Sequence, residues 1–215
     1  MCTRYIPPDV AEIERDWHIG ARDVPVWPRE LFPSMSGPFI RHRPEGEREL
    51  VVGQWGLIPF FAESRKLKIS TVNARSETVA TSPVFKGSWK YGKRCLIPAA
   101  SFDEPNWETG KNIWWRFRRA DGAPWALAGL WNAWKDPATE KYVESYTMLT
   151  VNADGHPLMG RMHRPDPKRP PEKQDKRSVV VVEPANWDAW LRGPEDEARA
   201  LIQLTAAEEF EAGPV

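Results

Sequence analysis

The apolar positions of this chain fall in short runs, most of them bounded by proline or glycine. Residues 49–55 read as a strand that ends at Gly56. Residues 94–99, 113–118, 125–133, 143–151 and 178–182 read the same way, as strands rich in β-branched and aromatic residues. Asp121-Gly122 supplies a hairpin turn, and 135–141 a second one, so 113–151 is expected as an antiparallel meander. Helical spacing is rarer. Val10, Ile13 and Trp17 share one face of a helix over 9–17, and 83–89 offers a helical turn. Residues 184–191 and 194–204 each open with proline near the first position and acids in the first turn, which suits helices. Residues 24–44 are punctuated by proline and read as a loop with a short strand near Phe39-Ile40. A short strand over 69–72 runs into Asn73, expected to N-cap a helix. Residues 100–107 read as a turn, 152–162 as a loop, and 164–176 as an exposed, mobile loop. The fold class predicted is α+β: a strand-rich single domain over 1–215, with antiparallel sheets forming a partly open barrel flanked by short helices. Its core lies in 2–192, and 193–215 is expected as a C-terminal helical segment.

Composition sharpens this. Hydrophobic residues make up 41% of 215, enough for one large core. The 21 prolines argue against long helices, and most of the 12 tryptophans are expected in the core. Thirty basic and thirty acidic residues cancel, but not locally. Residues 64–94 hold eight basic side chains against one acid, 161–177 seven against three, and 183–215 eight acids against two arginines. Basic blocks under a neutral sum permit an anionic ligand on one face. Two cysteines, Cys2 and Cys95, exclude a disulfide framework and a cysteine-rich zinc site. Cys95 lies in an apolar run and reads as a small core residue. No signal peptide or membrane span is visible, so a cytosolic, reduced protein is expected.

The chemistry starts at Met1-Cys2. With Met1 removed, Cys2 carries an α-amine and a thiol on one residue. A 1,2-aminothiol captures an aldehyde as an imine and then closes sulfur onto the same carbon, giving a thiazolidine. The bland alternative is a chance cysteine on a frayed terminus. Three further polar residues can accompany it. Asn73 ends a strand; Glu104, in Phe102-Asp103-Glu104-Pro105, is a carboxylate in apolar company, poised for acid–base work; His163 sits between cations in Arg161-Met162-His163-Arg164, with His156 as its competitor. The four histidines show no helical pairing with an acid, so no metal and no cofactor are expected.

Taken together, Met1-Cys2-Thr3-Arg4-Tyr5, Trp55-Gly56-Leu57-Ile58-Pro59, Asn73-Ala74-Arg75-Ser76-Glu77-Thr78, Phe102-Asp103-Glu104 and Met162-His163 make the chain similar to the SRAP family, over nearly its whole length. The resemblance implies a protein that senses and shields abasic sites in single-stranded DNA by a covalent, reversible thiazolidine crosslink in the DNA damage response. It implies Cys2 as nucleophile through nitrogen and sulfur, Asn73 orienting the Cys2 backbone or the sugar, Glu104 as acid/base, and His163 bonding the oxygen of the opened sugar. Arg4 and Arg75 match phosphate-binding positions, and Arg161 and Arg177 are grouped with them. Phe60 and Phe61 fall where aromatics meet neighbouring bases, with a buried core pair as the competing reading. Arg177 is aligned with an arginine that normally follows the histidine closely; here 165–176 intervene. A lyase-like, self-reversing activity follows, with autoproteolytic removal of Met1 or its removal by an aminopeptidase. The partner is single-stranded DNA with abasic sites, without membrane; the chain is expected as a monomer, cytoplasmic and nucleoid-associated during damage. The alternatives are a cysteine-dependent peptidase and a non-covalent single-stranded DNA-binding module.

Overall fold

The structure is a computed structural model that describes residues 1–20, 23–43 and 46–215. Its elements run β1 (Arg4–Ile6), α1 (Val10–Trp17), β2 (Ser36–His42), β3 (Arg48–Trp55), β4 (Asn73–Arg75), α2 (Lys86–Lys90), β5 (Arg94–Ala99), β6 (Ser101–Asn106), β7 (Ile113–Arg119), β8 (Trp125–Lys135), β9 (Tyr142–Asn152), β10 (Arg177–Val179), α3 (Trp187–Arg192), α4 (Glu195–Ala200) and β11 (Phe210–Pro214). Helix α1 begins where Asp9 accepts from the Glu12 amide and Glu12 accepts back from the Asp9 amide, both at 2.8 Å. This reciprocal cap satisfies donors that a helix start leaves open. It sets Ile13 and Trp17 into the core, with Trp17 stacked on Trp187 at 5.6 Å.

The larger sheet closes on itself. Strand β9 pairs with β3, β3 with β2, β2 with β5, β5 with β8, and β8 returns to β9. The expected barrel is therefore closed rather than partly open. Its sheet is mixed, because β3 and β4 both run parallel to β9. Gly129 sits at a tight point of the wall: a Cβ there would lie 2.7 Å from the Thr147 carbonyl oxygen and 2.9 Å from Cys95 Sγ. A second sheet runs β1-β6-β7-β11, so β7 pairs with β6 and β11, and the meander expected over 113–151 is reduced to the β8–β9 pair because the chain changes sheets after Arg119. One apolar cluster joins the helices to the barrel through Trp17, Trp89, Leu96, Leu130 and Trp190. The other joins the two sheets through Cys2, Trp55, Phe102, Phe117, Tyr146 and Phe210.

Five local expectations are corrected. Residues 69–72 form no strand, and Asn73 opens β4 instead of capping a helix, because its backbone follows β9 from Met148 onward. Residues 101–106 are a strand and not a turn; their buried acids look turn-like locally but are met by distant partners, Asp103 by Arg116 and Glu104 by the amino terminus. The 194–204 helix is confined to α4. The 193–215 segment is not wholly helical either, since β11 pairs with β7 from Phe210↔Arg119 to Pro214↔Trp115. Proline is tolerated there because β11 is an edge strand.

Candidate active site at the amino terminus

Strand β1 lies against β6 with Arg4 opposite Asp103, and this draws Cys2, two residues before Arg4, fully into the core. The Cys2 thiol donates to the Arg4 carbonyl at 3.4 Å. The Cys2 carbonyl accepts from Asn73 Nδ2 at 2.7 Å, which makes Asn73 an anchor for the Cys2 backbone. The Met1 amine bonds His163 Nε2 and lies 3.6 Å from Glu104 Oε2. Glu104 Oε2 and His163 Nε2 are themselves 2.7 Å apart. A single imidazole nitrogen cannot accept from the amine and donate to the carboxylate at once. Amine, imidazole and carboxylate therefore share protons, and moving one proton changes both contacts.

The thiol and carboxylate titrate oppositely. Burial first, and then the Glu104 charge, push the Cys2 thiol well above its ordinary range. Burial alone would also raise Glu104, but the amine and His163 outweigh it and hold that carboxyl below its ordinary value. While Met1 is present, the site thus holds a protonated thiol and an ionised Glu104.

His163 follows a 3-10 turn over Met159–Arg161 and has φ of +65°. A left-handed non-glycine residue costs on the order of 1–3 kcal/mol and persists only where its surroundings impose it. Three contacts do so: the His163 amide donates to the Pro105 carbonyl at 2.6 Å, and Lys176 Nζ donates to the Met162 and His163 carbonyls, each at 2.6 Å. His156, the competing histidine, has a structural task. Its Nδ1 accepts from the Leu158 and Met159 amides at 3.2 and 2.9 Å, so its Nε2–H donates to the Thr205 carbonyl at 2.9 Å.

The expected DNA contacts divide. Phe60 and Phe61 are 78% and 52% exposed with rings 5.3 Å apart, which overturns the core reading of that pair. Arg75 is half-buried and meets Asp175 at 2.6 Å. Arg4 bridges Glu30 at 2.9 Å and Asp103 at 3.2 Å. Arg161 forms two 2.8 Å bonds to Glu108 and covers the Trp115 ring at 5.1 Å; those bonds pull the Glu108 carboxyl down to about 2. Arg177 is not at the surface. Pairing of β10 with β9 carries it inward, where it is 3% exposed and bonds Glu77 at 2.8 and 3.0 Å and the Thr150 carbonyl at 2.8 Å.

Two residues around the site were not singled out from sequence. Asp103, fully buried, takes both Arg116 bonds at 2.8 and 2.9 Å and the Arg4 contact, so it fixes β1 to β6 and β7. A strand assignment for 101–106 would have exposed it as a buried acid needing a cation. Lys176 has no local signature, because the carbonyls it holds lie 13 and 14 residues earlier. Among the described residues no group of three or more His, Cys, Asp or Glu side chains is arranged to hold a metal, and no helix is long and apolar enough to cross a membrane.

Comparison with known proteins places this geometry. The model of the SOS response associated peptidase (SRAP) family matches residues 1–215. The abasic site processing protein YoqW of Bacillus subtilis is 29% identical over 163 residues, 74% of this chain and 66% of its own length. The abasic site processing protein HMCES of Gallus gallus is 28% identical over 172 residues, 62% of this chain and 51% of its own. This chain thus matches between half and two thirds of those relatives. A crystal structure from Bordetella bronchiseptica aligns over 100% of this chain and 99% of its own, with a TM-score of 0.87 and 34% identity. One from Bacteroides thetaiotaomicron shares the fold at a TM-score of 0.82 and 19% identity. With the family match running from the residue that carries the amine to the last residue of the chain, this protein belongs to the SRAP family.

Proposed function

We propose that this protein processes abasic sites in single-stranded DNA by trapping the opened deoxyribose as a thiazolidine on Cys2. The observation that supports this most directly is the meeting of the amino terminus, Glu104 and His163, beside a Cys2 whose carbonyl is held by Asn73. The names of the relatives, abasic site processing proteins, point to the same substrate.

The chemistry follows from the site. Removal of Met1 passes the free amine to Cys2. That amine adds to the sugar aldehyde, water leaves, and an imine forms. The thiol then adds to the imine carbon and its proton goes to nitrogen. The net change is aldehyde plus aminothiol giving thiazolidine plus water. The nitrogen acts first, because the carbon onto which the thiol closes is the imine carbon that the nitrogen has made. Glu104 moves protons as the ring opens, the imine forms and the adduct reverses, and His163 binds the released sugar oxygen. Arg4 and Arg75 hold flanking phosphates, Arg161 extends that basic surface, and Phe60 and Phe61 stack on neighbouring bases. Each cation must exchange its present carboxylate for a phosphate, so binding should weaken steeply with salt. Removal of Met1 by the chain itself, and reversal of the adduct, complete the activity we assign. A peptidase acting in trans is disfavoured by the same protonated thiol.

Incubation with a single-stranded abasic oligonucleotide should give a slowly migrating species on a denaturing gel. Its intact mass should equal Met1-free protein plus DNA minus one water. Cys2→Ala should give none; a stable adduct in that variant would defeat the assignment.

A further inference from the structure

We propose that Lys176 is a positioning residue for His163: its ammonium, brought back by the 164–176 loop, pins the Met162 and His163 carbonyls and thereby holds the imidazole against Glu104. The proposal rests on the role given to His163 above, and it names the group that keeps that residue in place.

Four observations carry it. Lys176 is 7% exposed, and its Nζ lies 2.6 Å from two successive carbonyl oxygens. In an extended segment successive carbonyls point to opposite sides; here both reach one nitrogen, at the residue whose φ is +65°. The lysine backbone is itself held on both sides. Its amide donates to Asp154 Oδ1 at 2.8 Å, and its carbonyl accepts from the Ala153 amide at 2.7 Å. Asp154 also accepts from the Asp175 amide at 3.1 Å. The loop between His163 and Lys176 is thus closed at its base, and that closure acts on the His163 backbone. Burial lowers the Lys176 ammonium from its ordinary value, as expected for a cation whose company is mainly carbonyl oxygen. A lysine that only filled space would have no need to reach two carbonyls at hydrogen-bond distance, and a buried ammonium without acceptors would be costly.

The full chain, with its amino-terminal state recorded by intact mass, allows a direct test. Carbon–proton NMR spectra of the four histidine rings are compared for wild type, Lys176→Met and Lys176→Gln, with His163 assigned by its loss in His163→Asn. In Lys176→Met the His163 ring signals should move and titrate at a different pH, while those of His18 and His42 stay in place. The rate of adduct formation with an abasic oligonucleotide should fall roughly tenfold to a hundredfold, the scale of a misplaced catalytic group. Lys176→Gln keeps an N–H donor and should recover part of both. Unmoved His163 signals in folded Lys176→Met would overturn the proposal. If that variant does not fold, unmoved signals in Lys176→Gln and Lys176→Arg would do so. Moved signals with an unchanged adduct rate would uphold the positioning and defeat the role assigned to His163, which separates the two failures.

Discussion

Replacing Asp103 by asparagine tests what holds the amino terminus in place. The carboxylate is fully buried and neutralises two partly buried arginines, Arg116 through bonds of 2.8 and 2.9 Å and Arg4 at 3.2 Å. One such pair is worth about 4 kcal/mol at 4 Å and an effective dielectric of about 20. Against this, a neutral amide no longer suffers the several kcal/mol of desolvation that a buried carboxylate does. Asparagine keeps the shape and part of the hydrogen bonding, and Arg4 retains Glu30 at 2.9 Å. The net loss should be about 2–3 kcal/mol, below the roughly 3–5 kcal/mol seen when a buried partner is deleted outright. For a domain of this size that corresponds to a fall in Tm of about 4–12 °C. Thermal unfolding followed by circular dichroism reads it. The gap should survive in about 0.5 M salt, since buried pairs are screened little. A double-mutant cycle with Arg116→Gln should return a coupling above about 1 kcal/mol. A Tm change under about 2 °C, or a coupling near zero, would show that this pair does not fasten β1 to its neighbours.

Asn73→Ala leaves the buried Cys2 carbonyl without its 2.7 Å donor. It should cost about 1–3 kcal/mol in urea unfolding and slow adduct formation on a gel time course, and an unchanged rate would count against Asn73 as an anchor. In the chain that keeps Met1, the Glu104 carboxyl lies below its ordinary value in the folded state, because the amine and His163 outweigh burial. A depressed folded value stabilises above the ordinary carboxylate range and loses that contribution as pH falls through it. The stability advantage of wild type over Glu104→Gln should therefore shrink from about pH 5 downward in parallel denaturation curves, and a widening gap would reverse the sign. Phe60→Ala and Phe61→Ala remove exposed rings, so stability should stay within about 0.5 kcal/mol of wild type. Affinity for single-stranded oligonucleotides should drop by about 1–3 kcal/mol for each base unstacked, measured by fluorescence anisotropy.

The barrel strands were legible because their own residues report their surroundings. The apolar runs at 49–55, 94–99, 125–133 and 143–151 correspond to β3, β5, β8 and β9. Helix α1 was readable for the same reason, through Val10, Ile13 and Trp17. Strand β6 was hidden because Asp103 and Glu104 owe their burial to Arg4, Arg116 and His163, none of which is adjacent in sequence. Asn73 looked like a cap because its side chain's true acceptor is a carbonyl 71 residues away. Residues 2, 73, 104 and 163 were picked out by resemblance and by the reactivity of an aminothiol; hydrophobic periodicity says nothing of their convergence. Arg177 was misread for want of a register, since only pairing with β9 shows that it faces inward.

The barrel closes through Gln54↔Ser145 and Trp55↔Tyr146, and the contacts of the amino terminus are completed by His163. A ribosome delivers those parts late. At roughly 5–20 residues per second, about ten to thirty seconds pass between the emergence of Cys2 and that of His163. Until β6 is made the first strand has no sheet to join, and until His163 is made its amine lacks the imidazole that it bonds. Met1 itself stays exposed in the folded chain, and what changes is its amine, free at first and later bonded to His163. The self-removal of Met1 proposed above must therefore wait until Glu104 and His163 have both left the ribosome.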